Sequence, residues 1–227
     1  MTLKDLYNKS LALKDSPLMP VLFVGHGTPM NAIEENEFVS KWVELGRGLP
    51  PPQAILCISA HWETRGTYVT AMEHPRTIHD FYGFPEQLYE QQYPAPGSLE
   101  LASNIIDGVQ NVAIQRDYEW GLDHGCWAVI KYLYPEANIP IVQLSIDRFK
   151  DTRWHYQLAS ELAFLRRKGV LIVGSGNMVH NLRMMRMVSE DINVEYGYDW
   201  ALEINEILKK KIISGDYLSL IDFSSLH

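Results

Sequence analysis

The chain has 227 residues, 46% of them hydrophobic and 21% charged, which fits one globular domain with ample apolar material for a core. Its formal net charge of −8 argues against non-specific nucleic-acid binding, which needs a basic surface, and gives no support for binding to anionic membranes. The two cysteines, Cys57 and Cys126, form neither a disulfide framework nor a CxxC site.

Residues 1–18 read as a polar lead-in without the apolar stretch of a signal peptide. No run reaches transmembrane length, so a soluble cytoplasmic protein is expected. Pro20–Val24 predicts a first buried strand that ends in Gly25-His26-Gly27. Ile33–Leu45 predicts an amphipathic helix with Phe38, Trp42 and Leu45 at helical spacing, stopped by Pro50-Pro51-Pro52. Ala54–Ala60 is apolar on both faces, as a central parallel strand should be, and runs into His61-Trp62. Thr67–Met72 is a weaker strand.

Residues 73–98 form a long stretch rich in aromatic residues and proline, and long ordered loops in compact domains are usually functional. Ser98 predicts the cap of a helix over Leu99–Val109, and a short strand follows near Val112–Gln115. Trp120 to Trp127 reads as a polar-aromatic turn, and Trp127–Tyr134 as a helix. Ile139–Ile146 is a further buried strand. Asp151 caps a helix reaching Arg167, which Gly169 stops. Val170–Val173 is the last clear strand, and Trp200–Ile213 a closing helix. Strands alternating with helices predict a single α/β domain over residues 1–227, with a mainly parallel central sheet flanked by helices.

Three strand-like runs each end at or just before a histidine: His26, His61 and His180. Open parallel sheets bind ligands beyond the carboxyl ends of their strands, so three imidazoles gathered there would make a metal site. Any one of these histidines alone is more often a satisfied polar residue than a ligand. Imidazole suits iron, zinc, copper and nickel alike. His124, between Asp123 and Gly125, is a candidate for proton exchange or a structural turn residue. His79-Asp80 either contacts a substrate or fixes the long loop. Gly174-Ser175-Gly176-Asn177 lacks the lysine and glycines of a phosphate loop, no G-x-S-x-G elbow occurs, and Cys126 near His124 ranks low as a nucleophile.

Six motifs occur in order: Gly25-His26-Gly27-Thr28-Pro29-Met30-Asn31, Ser59-Ala60-His61-Trp62, Thr77 through Pro85, Tyr93 through Gly97, Gly121-Leu122-Asp123-His124-Gly125 and Gly176 through Leu182. Together, from about Pro20 to the end, they resemble the LigB-like class III extradiol ring-cleavage dioxygenases, in their 4,5-DOPA dioxygenase branch. The resemblance implies an α/β fold and a divalent metal held by His26, His61 and His180. It implies His124 as the acid/base group beside the metal, and His79 in the substrate pocket. Tyr82, on the same aromatic loop, is the other expected contact. The implied reaction opens a catechol such as DOPA beside its hydroxyls with O2. Ferrous iron, Fe(2+), is the implied working metal, and Zn(2+) can occupy such sites in isolated protein. Members of this branch continue past the point equivalent to His227 with a Pro-x-His-Tyr-Leu-Pro-like tail bearing another metal-site histidine. The sequence stops before that motif, so the role is not carried onto His227. A zinc-binding hydrolase and a non-catalytic metal-binding protein are the alternative readings.

Overall fold

A computed structural model describes residues 13–184 and 196–223. By its contacts the chain divides into two compact units, residues 1–176 and 177–227.

The first unit is built on a four-stranded sheet of β1 (Val21–Val24), β2 (Ala54–Ser59), β6 (Ile141–Gln143) and β8 (Val170–Ser175), in the order β1-β8-β2-β6 and parallel throughout. Two small parallel ladders accompany it: β3 (Glu63–Thr64) with β7 (Ile146–Asp147), and β4 (Thr67–Thr70) with β5 (Ile114–Asp117). The helices are α1 (Glu37–Gly48), the single turn α2 (Glu86–Tyr89), α3 (Leu99–Gly108), α4 (His124–Leu133) and α5 (Thr152–Leu162).

β2 shows why helices cover both faces of the sheet. Its side chains alternate sides, and both sets are apolar. Ile55 and Cys57 pack with Cys126, Trp127 and Ile130 of α4, whereas Ala54 and Leu56 pack with Leu101 and Ile105 of α3 and Leu158 of α5. Each such aliphatic side chain, fully withdrawn from water, contributes about 1.5–3 kcal/mol. The expected α/β architecture with a mainly parallel, helix-flanked sheet is what the first unit has.

Several elements differ in detail. α1 begins at Glu37, because Asn36 caps it through Val39 N–H, and Pro29–Ala32 forms a separate 3-10 turn. Its buried side chains are Val39 and Trp42, packed on Val129 and Leu133 of α4, and Phe38 is exposed. β1 lies at the sheet edge with Phe23 exposed, rather than buried on both faces. The run expected as one strand over Ile139–Ile146 is divided between β6 and β7, which belong to different ladders. α4 starts three residues before the expected Trp127, since the buried Asp123 accepts from Cys126 N–H and caps it.

In the second unit, α6 (Asp199–Ser214) ends at Gly215 in a left-handed conformation, and α7 (Tyr217–Ile221) follows. Among the described residues no helix is long and apolar enough to cross a membrane.

Candidate metal centre

Sheet register brings two of the predicted histidines to one place. Val24 of β1 and Ser59 of β2 both stand opposite Ser175 of β8, one on each side. Each is followed two positions later by a histidine, His26 and His61. The two strands are about 9–10 Å apart with β8 between them, and their imidazoles close that gap until His26 Nε2 and His61 Nε2 face each other at 3.1 Å. His26 is buried and His61 half-buried.

The turn carrying His26 is held from behind. Asn31 Nδ2 donates to the His26 carbonyl at 3.0 Å, and Asn36 Nδ2 donates to Asn31 Oδ1 at 2.8 Å. Gly27 sits at φ +65°, and a Cβ there would fall 2.9 Å from Asn31 Nδ2, so conformation and space both demand glycine.

His124, the first residue of α4, joins the pair. Its ring centroid lies 4.0 Å from that of His61 and 5.6 Å from that of His26. One ligand nitrogen from each of His26, His61 and His124 falls within 4.8 Å of the others. The close approach of α4 depends on Gly125, where a Cβ would meet Ser59 Oγ at 2.5 Å and His61 Cδ2 at 3.0 Å.

Hydrogen bonds assign the protons. Ser175 has one hydroxyl proton, which it donates to the Gly125 carbonyl, so its oxygen accepts from His26 Nδ1–H at 3.0 Å. His124 Nδ1 donates to Asp80 Oδ1 at 2.9 Å, and His61 Nδ1 donates to Asp80 Oδ2 at 3.2 Å. The His124 backbone N–H also donates to Asp80 Oδ1 at 2.9 Å. In its neutral form each ring therefore carries its proton on Nδ1 and presents Nε2 as a lone pair. Two lone pairs at 3.1 Å repel unless a proton or a metal cation lies between them, so the pair forms an N–H···N hydrogen bond when one ring is protonated and is free to take a metal when neither is. Nitrogen ligands with metal distances of ~2.0–2.2 Å suit such a spacing, and a carboxylate bracing the far nitrogen is the usual support for a metal-binding imidazole. The residues fit a divalent metal ion.

Electrostatics agree with that arrangement. Burial opposes the charge on Asp80, but hydrogen bonds from His124 and His61 outweigh it and hold the carboxyl well below the usual carboxylate range. Burial likewise opposes a cationic His61, yet Asp80 and the charge of Asp123 win and raise its pKa. Asp123 is fixed in turn by Gln143, which accepts from Asp123 N–H at 2.9 Å and donates to its Oδ2 at 2.8 Å. Burial pushes the Cys126 thiol up, and neighbouring Cys57 adds to it, which removes the thiolate that a nucleophile would need.

The aromatic loop lies along α4 beside this centre. Phe81 approaches His124 edge-on at 5.5 Å, and His79 approaches Trp127 at 5.8 Å. His79 Nε2 donates to the Gln91 carbonyl at 2.9 Å. Tyr82 is 92% exposed at the loop tip. His180 belongs to the second unit, and His227 lies outside the described residues. The sequence names Asp80 only together with His79, as a substrate contact or a fixing point of the loop; it does not reveal Asp80 as the partner of His61 and His124, 19 and 44 positions away, or Ser175 as the partner of His26. For Asp80 the available signal was its place inside the Thr77–Pro85 motif, directly after His79.

Residues 19–215 match the family described as the catalytic LigB subunit of aromatic ring-opening dioxygenase. A 4,5-DOPA dioxygenase extradiol of Escherichia coli (strain K12) is 48% identical over 201 residues, covering 88% of this chain and 73% of that protein. One of Beta vulgaris, with the same description, is 40% identical over 201 residues, covering 86% and 73%. The crystal structure of an uncharacterized protein from Escherichia coli K12 superposes with a TM-score of 0.71 at 45% identity, covering 85% of this chain and 72% of that one.

Proposed function

The chain belongs to the LigB family of extradiol aromatic ring-opening dioxygenases, and from that premise we propose that it opens a DOPA-like catechol with O2 at a ferrous ion held by His26 and His61. The observation that carries this reading is the inward-facing Nε2 set, each ring anchored at Nδ1 by Ser175 or Asp80. For His180 as a further ligand, the support is the Gly176–Leu182 motif. Two buried free thiols, Cys57 and Cys126, are in keeping with a cytoplasmic setting.

When bound, Fe(2+) supplies coordination positions and an electronic path between catechol and O2. The protein's own contribution is proton handling and positioning. His124 takes a catechol hydroxyl proton at Nε2 and later returns it. Its Nδ1–H bond to Asp80 fixes which nitrogen is basic and stabilises the imidazolium formed. Phe81, half-buried against His124, supplies apolar surface for the ring and limits water, and the buried Trp127 backs His79 from the core. His79 offers a polar contact on the same loop, and exposed Tyr82 reaches the substrate only if the loop tip folds inward.

A second reading is favoured by the mutual proximity of His26, His61 and His124, in which His124 is itself a metal ligand. Anaerobic loading with Fe(2+) or Zn(2+), followed by L-DOPA and oxygen, tests the proposal. Iron-dependent oxygen uptake with a yellow ring-opened product is expected. Metal binding without oxygen uptake would overturn the catalytic reading.

A further inference from the structure

One face of α4 is fastened to the aromatic loop at three successive points. His124 bonds to Asp80, Trp127 Nε1 donates to the Ile78 carbonyl at 2.8 Å, and Lys131 Nζ donates to Gln91 Oε1 at 2.9 Å. Offsets of three and seven residues put these side chains in one row along a helix. The third fastening reaches furthest. The Gln91 carbonyl is the acceptor for His79 Nε2, so Lys131 acts through Gln91 on the residue expected to meet substrate. Lys131 Nζ also donates to the Ala32 carbonyl at 2.9 Å, in the 3-10 turn that follows the His26 segment. One ammonium thus ties together the return limb of the loop, the segment after His26 and the helix carrying His124.

The bonding of Lys131 is unusual for a lysine in an acidic protein. It is half-buried, and among the described residues no carboxylate forms an ion pair with it. Burial lowers its pKa. A methionine would fill similar space with no charge to desolvate, so what the lysine adds is its pair of N–H bonds to Gln91 and Ala32 and the approach of its Nζ to the Tyr132 ring at 5.3 Å; only the first of these reaches the loop, which is why Gln91→Leu is tested beside it.

We propose that Lys131 is a positioning residue for the catechol substrate: by clamping Gln91, and through it His79, it holds the loop from Thr77 to Gln91 against α4 in the geometry that receives the ring. The substrate clause rests on the dioxygenase reading, whereas the clamp itself does not.

The test uses the full, metal-loaded chain with Lys131→Met, Lys131→Arg, Gln91→Leu and the Lys131→Met/Gln91→Leu double variant. Hydrogen exchange is read by peptide, and steady-state kinetics are measured with L-DOPA. In Lys131→Met, exchange at Leu88, Glu90 and Gln91 should quicken by about tenfold, the cost of one charge-assisted hydrogen bond. Metal content and exchange in the sheet should be unchanged. KM should rise roughly tenfold with kcat within about threefold. Lys131→Arg retains donors and should recover most of the protection, and the double variant should be no worse than either single change. Wild-type loop exchange in Lys131→Met would overturn the proposal. So would quickening spread evenly through α4 and β2 that arginine fails to rescue, since that marks a fold defect. If the parent chain shows no catechol turnover, the exchange data still decide the clamp, and the dioxygenase reading falls separately.

Discussion

Replacing Asp80 with asparagine tests the site at its most connected atom pair. The carboxylate accepts from the His124 backbone N–H and from His124 Nδ1, each 2.9 Å from Oδ1, and from His61 Nδ1, 3.2 Å from Oδ2. Asparagine keeps the shape but turns one terminal atom into a donor. If the amide oxygen serves His124, the amide nitrogen meets His61 Nδ1–H, donor against donor. His61 can escape by moving its proton to Nε2, the nitrogen that faces His26 at 3.1 Å, and a protonated Nε2 cannot hold a metal. Losing such an orienting partner costs about 10–100-fold in metal affinity, or ~1.4–2.7 kcal/mol. Competition against a chelating indicator gives the affinity, and the melting temperature of the metal-free protein reports whether the fold survives. An Asp80→Asn protein that melts normally and binds metal within about twofold of the parent would refute the argument. Asp80 would then merely secure the loop.

Three further outcomes are expected. Gly125→Ala places a methyl 2.5 Å from Ser59 Oγ and 3.0 Å from His61 Cδ2, so overpacking of about 1–3 kcal/mol should lower the melting temperature by about 2–10 °C and reduce metal occupancy; Gly48→Ala, with nothing within 4 Å, is the control that should lose neither. His124→Ala should retain metal and lose about 10²–10⁴-fold in turnover, and a parallel loss of metal would instead make His124 a ligand. Because the folded pKa of His61 is raised, its pairing with Asp80 stabilises the metal-free protein fully below the ordinary value of 6.5 and is lost as pH rises through the raised value; melts of the metal-free protein across that range should show the loss, and His61→Gln should abolish that part of the slope.

Much of this architecture was legible in the sequence, for local reasons. Apolar runs flanked by glycine and proline marked β1, β2 and β8, and Ser98 marked the start of α3 through its bond to Leu101 N–H. Pairing was less legible, because it is settled far along the chain. Nothing local to Thr67–Thr70 says that it joins Ile114–Asp117 in its own ladder instead of extending the main sheet. The start of α4 was misplaced because Asp-His-Gly reads as a turn, whereas Asp123 caps the helix through Cys126 N–H while Gln143 of β6, 20 positions on, holds its other oxygen. At the site, His26 and His61 were found through their strand-end positions. Asp80 was overshadowed by its neighbour His79, since a brace is recognised by the partners it meets and these lie at His61 and His124.

The position of Asp80 makes two binding events one problem. It belongs to the same loop as His79 and Phe81, yet its oxygens determine how His61 and His124 present their inner nitrogens. A loop drawn toward α4 by a ligand orients the imidazoles, and imidazoles locked by an ion draw the loop in return. Thermodynamic linkage then requires reciprocity: whatever factor the ion contributes to ligand affinity, the ligand contributes to ion affinity. On the proposed function, the ion is then expected to leave most readily when no ligand lies against the His79–Phe81 loop, and least readily when one does.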